Sequence, residues 1–128
     1  MYPGEAPVIR QQCHEMEKPM ILATIRMMIP PQKSGEALKI LRSMAEQCRY
    51  DPGCLGCRIY EDLQEKNVLM LEEVWSSKDE LERHLRSDDY LNLLIVLEMA
   101  LEQPEIRFDT ISSSTGIETI EKARSNAR

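Results

Sequence analysis

The chain has 128 residues, enough for one domain with a modest core, and its 42% hydrophobic and 30% charged residues fit a folded chain rather than a disordered one. Sixteen Lys and Arg stand against 22 Asp and Glu, a net charge of -6, so the basic footprint that binds nucleic acid or an anionic membrane through counterion release is missing. No apolar run is long enough to span a bilayer and the N-terminus has no apolar centre of a signal peptide, so a cytoplasmic location with its Cys as reduced thiols is expected.

Residues 1–19 carry Pro3, Pro7 and Pro19 among scattered charges, which predicts an extended arm ahead of a domain at 20–113 and a helical tail at 114–128. MILATIRMMI, 20–29, predicts a strand that Pro30-Pro31 stops. A helix follows over about 32–49, because Ala37, Leu41, Met44, Ala45 and Cys48 recur on one helical face. Tyr50-Asp51-Pro52-Gly53 reads as a turn. Two strands, about 54–61 and 67–75, flank the polar turn Asp62–Lys66. In the second of them Leu69, Leu71, Glu73 and Trp75 share one face.

Ser77-Lys78-Asp79-Glu80 reads as a capping box opening a helix to about Arg86, and Ser87-Asp88-Asp89 as the cap of another at 88–102. That second helix is apolar almost all round, which requires cover on more than one side. Pro104 ends it, 105–113 is a last strand, and Thr115–Glu118 reads as a further capping box before a short helix. The order β-α-β-β-α-α-β predicts an α+β, ferredoxin-like domain with helices on one face of an antiparallel sheet. Apolar residues on both faces of the first and third strands predict that the other face meets a second subunit.

The rare residues fall close together. Trp75, the one Trp of the chain, ends a strand, and His84 edges the apolar face of the next helix, where a partly desolvated imidazole can serve as a general base. Tyr60 and Glu73, on neighbouring strands, offer a donor and an acceptor. The plain alternative is a core Trp and a helix-edge His bonded to a carbonyl. Cys54-Leu55-Gly56-Cys57 has CxxC spacing, but it opens a strand rather than a helix, and Cys13-His14 supplies no closely spaced second pair. Structural thiols are therefore expected at Cys13, Cys48, Cys54 and Cys57, with no metal. A thiol sensor at Cys54 and Cys57 is the lesser reading.

Pro52-Gly53-Cys54-Leu55, Tyr60-Glu61, Glu73-x-Trp75 and Leu81-x-x-His84 leading into Tyr90 together resemble the antibiotic biosynthesis monooxygenase (ABM) family over roughly 20–113. The resemblance implies a homodimer whose sheets pack into a shared α+β barrel, with a ligand pocket between sheet and helices in each subunit. It implies a cofactor-independent monooxygenase, with molecular oxygen as co-substrate, acting on a small quinol, phenolic or polyketide-like molecule. It does not extend to the haem-degrading members, whose strand Asn, helix Trp and ligating His find no Asn in 20–29, His84 and Leu94 instead. On this reading His84 removes a phenolic proton, Trp75 stacks on the substrate ring and Tyr60 bonds the oxyanion, while Glu73, Tyr90 and Leu94 line the pocket. The other reading keeps the fold and the dimer but makes the chain a non-catalytic binding or stress-response module.

Overall fold

A computed structural model describes residues 18–127; the expected N-terminal arm, with Cys13 and His14, lies almost wholly outside them. The alternating pattern that opens the domain becomes strand β1, Met20–Met28, in which Ile21, Ala23, Ile25 and Met27 are buried and the residues between them half-buried. Pro31 occupies the first turn of helix α1, Pro31–Cys48, whose buried residues are Ala37, Leu41 and Met44 of the predicted face. Strands β2, Cys54–Glu61, and β3, Val68–Trp75, form the predicted hairpin. Asn67 lies outside β3: it holds φ 66°, a left-handed turn position that Asn tolerates better than most residues, and its carbonyl accepts from Ile29 N.

Helix α2, Lys78–Leu85, begins as expected, with the Ser77 hydroxyl accepting from Glu80 N. The glutamate half of that box is absent, because the Glu80 carboxylate turns to Arg83. Helix α3 is shorter than expected, Tyr90–Glu98, and no side chain caps it; the Ser87 hydroxyl donates instead to the His84 carbonyl, closing α2. Strand β4, Glu105–Ile111, precedes helix α4, Ile117–Asn126, whose N-cap is Gly116 rather than the predicted Thr115.

The sheet runs β2-β3-β1-β4 with every pair antiparallel, and one core joins it to α1 and α3 through Ile25, Met27, Leu41, Leu71, Leu93 and Val96. This is the expected α+β ferredoxin-like plan. A single chain leaves the sheet open, with β2 and β4 as edges. A second, smaller cluster of Ile21, Trp75 and Leu81 pins α2 to the end of the sheet, and Leu81 is the buried residue of that helix. The apolar coat of α3 is only half used: Leu93 and Val96 are buried, while Leu91, Leu94 and Ile95 are exposed. Among the described residues no helix is long and apolar enough to cross a membrane.

The cysteines depart from expectation. Cys48 and Cys54 form a disulfide, with Cα atoms 5.6 Å apart. The turn between them brings the last residue of α1 back to the first of β2: Asp51 N donates to the Cys48 carbonyl, and Cys54 N to that of Asp51. Cys48 therefore faces its partner across a turn rather than filling the core, and Cys57 alone of the described cysteines is a free thiol.

Candidate functional site

Four side chains from three elements meet at the end of the sheet that α2 covers. Glu73 and Trp75 project from the same face of β3 because they are two residues apart. His84 comes from the last turn of α2 and Tyr90 from the first turn of α3. Trp75 Nε1 donates to Glu73 Oε1 at 3.2 Å, and the Trp75 and His84 rings stack with centroids 4.4 Å apart and planes at 27°. Tyr90 stands edge-on to the imidazole at 5.3 Å. His84 Nε2 lies 3.5 Å from Glu73 Oε2, fully buried and without a hydrogen bond in this geometry. A buried nitrogen left so costs about 1–3 kcal/mol, which a shorter contact with the carboxylate would recover.

Glu73, Trp75 and His84 form the floor of an open cleft of about 660 Å³, with Tyr90 behind the imidazole and outside the lining. One wall is the turn Tyr50–Pro52 with Met44, Gln47 and Cys48 of α1; the other is Glu80 and Arg83 of α2 with Ser87 and Asp89 beyond it. Arg83 ties the walls together, its Nη2 lying 2.7 Å from both Asp51 Oδ1 and Glu80 Oε1. Gly53 completes the joint, since its bare Cα lets the Glu80 side chain lie across it. Arg83 is the one guanidinium among the described residues of the lining, and Asp51 and Glu80 both engage it.

Of the residues singled out in the sequence, His84, Trp75, Glu73 and Tyr90 come together. Two do not. Tyr60 pairs with Met70 and shares the helix-free face of the sheet with Glu72, to which its hydroxyl donates at 3.2 Å, because Met70 and Glu72 stand three residues and one residue from Glu73 along β3 and so face the other way. Leu94 sits on the outer side of α3, 42% exposed, one position off the buried Leu93. Trp75 also changes its role: it is 2% exposed and His84 covers its face, so it carries the imidazole rather than a ligand. Asp51, Glu80 and Arg83 were legible only as a turn and a charged helix face; the i,i+3 spacing of Glu80 and Arg83 suits an ion pair, but nothing local signals the reach of Arg83 to Asp51.

A bulge in β2 between Cys54 and Gly56 sets Cys54 opposite Trp75 and Cys57 opposite Glu73, on one face of the hairpin. Burial, and then the nearby Glu73 charge, push the Cys57 thiol from its ordinary 9.0 up to about 12. The same two causes raise the Tyr90 phenol above 10.0. A raised folded-state pKa adds stability that is whole below the unfolded value and lost as pH climbs toward the folded one. Unfolding free energy is therefore expected to fall between about pH 9 and 12, and Cys57→Ala to flatten that fall; urea titrations at stepped pH measure both, and an unchanged slope in the variant refutes it. Among the described residues no group of three His, Cys, Asp or Glu is placed to hold a metal ion.

A family model for antibiotic biosynthesis monooxygenases matches residues 20–93, from the first residue of β1 into α3. The chain belongs to the ABM family. Its ABM domain has the fold of solved structures at low identity. A conserved protein of Methanosarcina mazei Go1 aligns with TM-score 0.68 at 21% identity, covering 76% of this chain and 97% of the other. Rv0793 from Mycobacterium tuberculosis aligns equally well, TM-score 0.68 at 21% identity, covering 76% and 99%. The uncharacterized protein sll1783 of Synechocystis is 26% identical over 82 residues, 64% of this chain, and the chain spans about half the length of that relative, 55%.

Proposed function

We propose that the chain is a cofactor-independent monooxygenase of the ABM type, acting on a small phenolic or quinol-like substrate with molecular oxygen as co-substrate. The observation that carries this reading is a histidine at the floor of an open cleft, faced by a buried carboxylate and clamped between two aromatic rings. Glu73 faces Nε2, which leaves Nδ1 as the nitrogen for a ligand to meet. His84 takes the phenolic proton there, and Glu73 stabilises the imidazolium that forms. The electron-rich phenolate reduces oxygen directly. For a hydroquinone the balance is one quinol plus one O₂ giving one hydroxyquinone and one water, every electron coming from the substrate. The carboxylates of Asp51, Glu73, Glu80 and Asp89 in the lining favour a substrate that binds as a neutral phenol.

The reading includes a homodimer. Leu91, Leu94 and Ile95 of α3 and Ile106 and Phe108 of β4 are exposed, and the last two pair with Ile25 and Ala23 on the helix side of the sheet. A second copy is the cover we infer for them, on the helix side of the sheet rather than on the helix-free face that the strand pattern suggests.

The test is oxygen uptake with a panel of substituted hydroquinones, no metal or flavin added. Uptake matched one-to-one by hydroxyquinone formation supports the reading. No uptake above the autoxidation rate with any member overturns it, leaving a binding module of the same fold.

A further inference from the structure

We propose that Cys48 and Cys54 form a thiol–disulfide exchange site whose redox state sets the geometry of the cleft, with a dithiol reductant as its reaction partner. The bond joins the end of α1 to the start of β2, and Tyr50, Asp51 and Pro52 between them line the cleft, as does Cys48 itself. Both cysteines are half-buried rather than sealed, and Cys48 lines the cleft, so a small thiol reaches the bond from the Cys48 side. On its inner side Cys54 packs with Trp75, Ile21 and Leu81, and Trp75 is its cross-strand partner. Trp75 in turn stacks on His84 and bonds Glu73. One line of contacts thus runs from the disulfide to the imidazole.

In the exchange, a thiolate of the reductant attacks one sulfur, giving a mixed disulfide and freeing the other cysteine. The second thiol of the reductant then resolves the mixed disulfide, and the reductant leaves as its own disulfide with two electrons passed to the protein. Two thiol sulfurs cannot stay at bonding distance, so they part to van der Waals contact. The sulfur of Cys48 has the cleft to move into; that of Cys54 has the Trp75 stack to press on. Either movement reshapes the floor or the wall around His84.

The turn itself survives reduction. It keeps its Asp51–Cys48 and Cys54–Asp51 backbone bonds, Gly53 N donating to Asp51 Oδ1 at 2.9 Å, Ser76 N donating to the Gly53 carbonyl and the Asp51–Arg83 ion pair. The change is therefore local and reversible. Cys57, three residues along β2, takes no part: its buried thiol stays protonated at neutral pH and is a poor nucleophile.

The exchange site stands apart from the oxygenase reading; only its effect on turnover rests on it. The experiment combines differential alkylation with peptide mass spectrometry and the emission of Trp75, a fluorophore beside the disulfide that quenches it. Cys48 and Cys54 of the full chain under air are expected to resist alkylation and to label after dithiothreitol under native conditions. Trp75 emission is expected to rise on reduction and to return with oxidised glutathione, and Cys57→Ser to leave that cycle intact. With the oxygenase reading, hydroquinone-dependent oxygen uptake falls in the reduced state. Alkylation of both cysteines before reduction, emission that ignores reduction, or loss of the cycle in Cys57→Ser overturns the proposal. An emission cycle without hydroquinone turnover in either state supports the exchange site and removes the oxygenase reading instead.

Discussion

His84→Ala is expected to lower hydroquinone-dependent oxygen uptake by about 100- to 10,000-fold, the range of a positioned proton-transfer group. The loss falls on kcat, because the imidazole acts on the proton that leaves in the reaction rather than on the ring that binds. Glu73→Gln separates chemistry from placement. The amide oxygen still accepts from Trp75 Nε1, where Glu73 Oε1 now does at 3.2 Å, but the charge that faces His84 Nε2 is gone. Its turnover is expected to lie between wild type and His84→Ala, with KM little changed. Free imidazole added to His84→Ala restores part of the rate if the deletion leaves a hole open to the cleft. An oxygen electrode with saturating hydroquinone measures all three proteins, and equal kcat in wild type and His84→Ala removes the base from the mechanism.

The parts of this site written by local pattern were legible in the sequence. Period-two alternation put Glu73 and Trp75 on one face of β3, and the Ser77 cap fixed where α2 begins, hence where His84 falls on its last turns. What the chain does not write locally is the geometry that turns and irregularities decide. The β2 bulge after Cys54 changes which side each later residue faces, so Cys57 joins the helix side and Tyr60 the opposite one. A single unmarked extra residue thus moved a candidate catalytic phenol across the sheet. Cys48 shares a helical period with Ala37 and Leu41 and reads as core, yet the reversal at Tyr50–Gly53 is what determines its partner. Arg83 reads as one charge among many on a solvated helix; its reach to Asp51 spans 32 residues and has no local signal. Likewise α3 is apolar on all sides, which says that it needs covering but not which sides the same chain covers.

Trp75→Ala is expected to destabilise the fold by about 3–5 kcal/mol, as for a large aromatic truncated inside a core. Against the roughly 5–15 kcal/mol of a typical domain, that loss is large. Three effects act together. The cavity opens inside the small cluster of Ile21 and Leu81, and Leu81 is the buried anchor of α2, so the helix loses its main hold on the sheet. His84 loses the ring on which it stacks. Glu73, 5% exposed, loses the indole N–H, leaving a buried oxygen without that donor. Trp75→Phe isolates the third effect, because the phenyl ring keeps most of the volume and the stacking face but cannot donate; its cost is expected at about 1–3 kcal/mol. Urea unfolding followed by far-UV circular dichroism suits both variants, since each removes the one Trp of the chain. A Trp75→Ala midpoint close to wild type refutes the anchoring role. A Trp75→Phe protein as stable as wild type shows that the carboxylate finds its hydrogen bond elsewhere, from His84 as the nearest remaining donor. In that event Glu73 and His84 are a self-sufficient pair and Trp75 contributes shape alone. If instead Trp75→Phe pays the expected cost and its kcat falls while KM holds, the indole N–H fixes the carboxylate that in turn fixes the base.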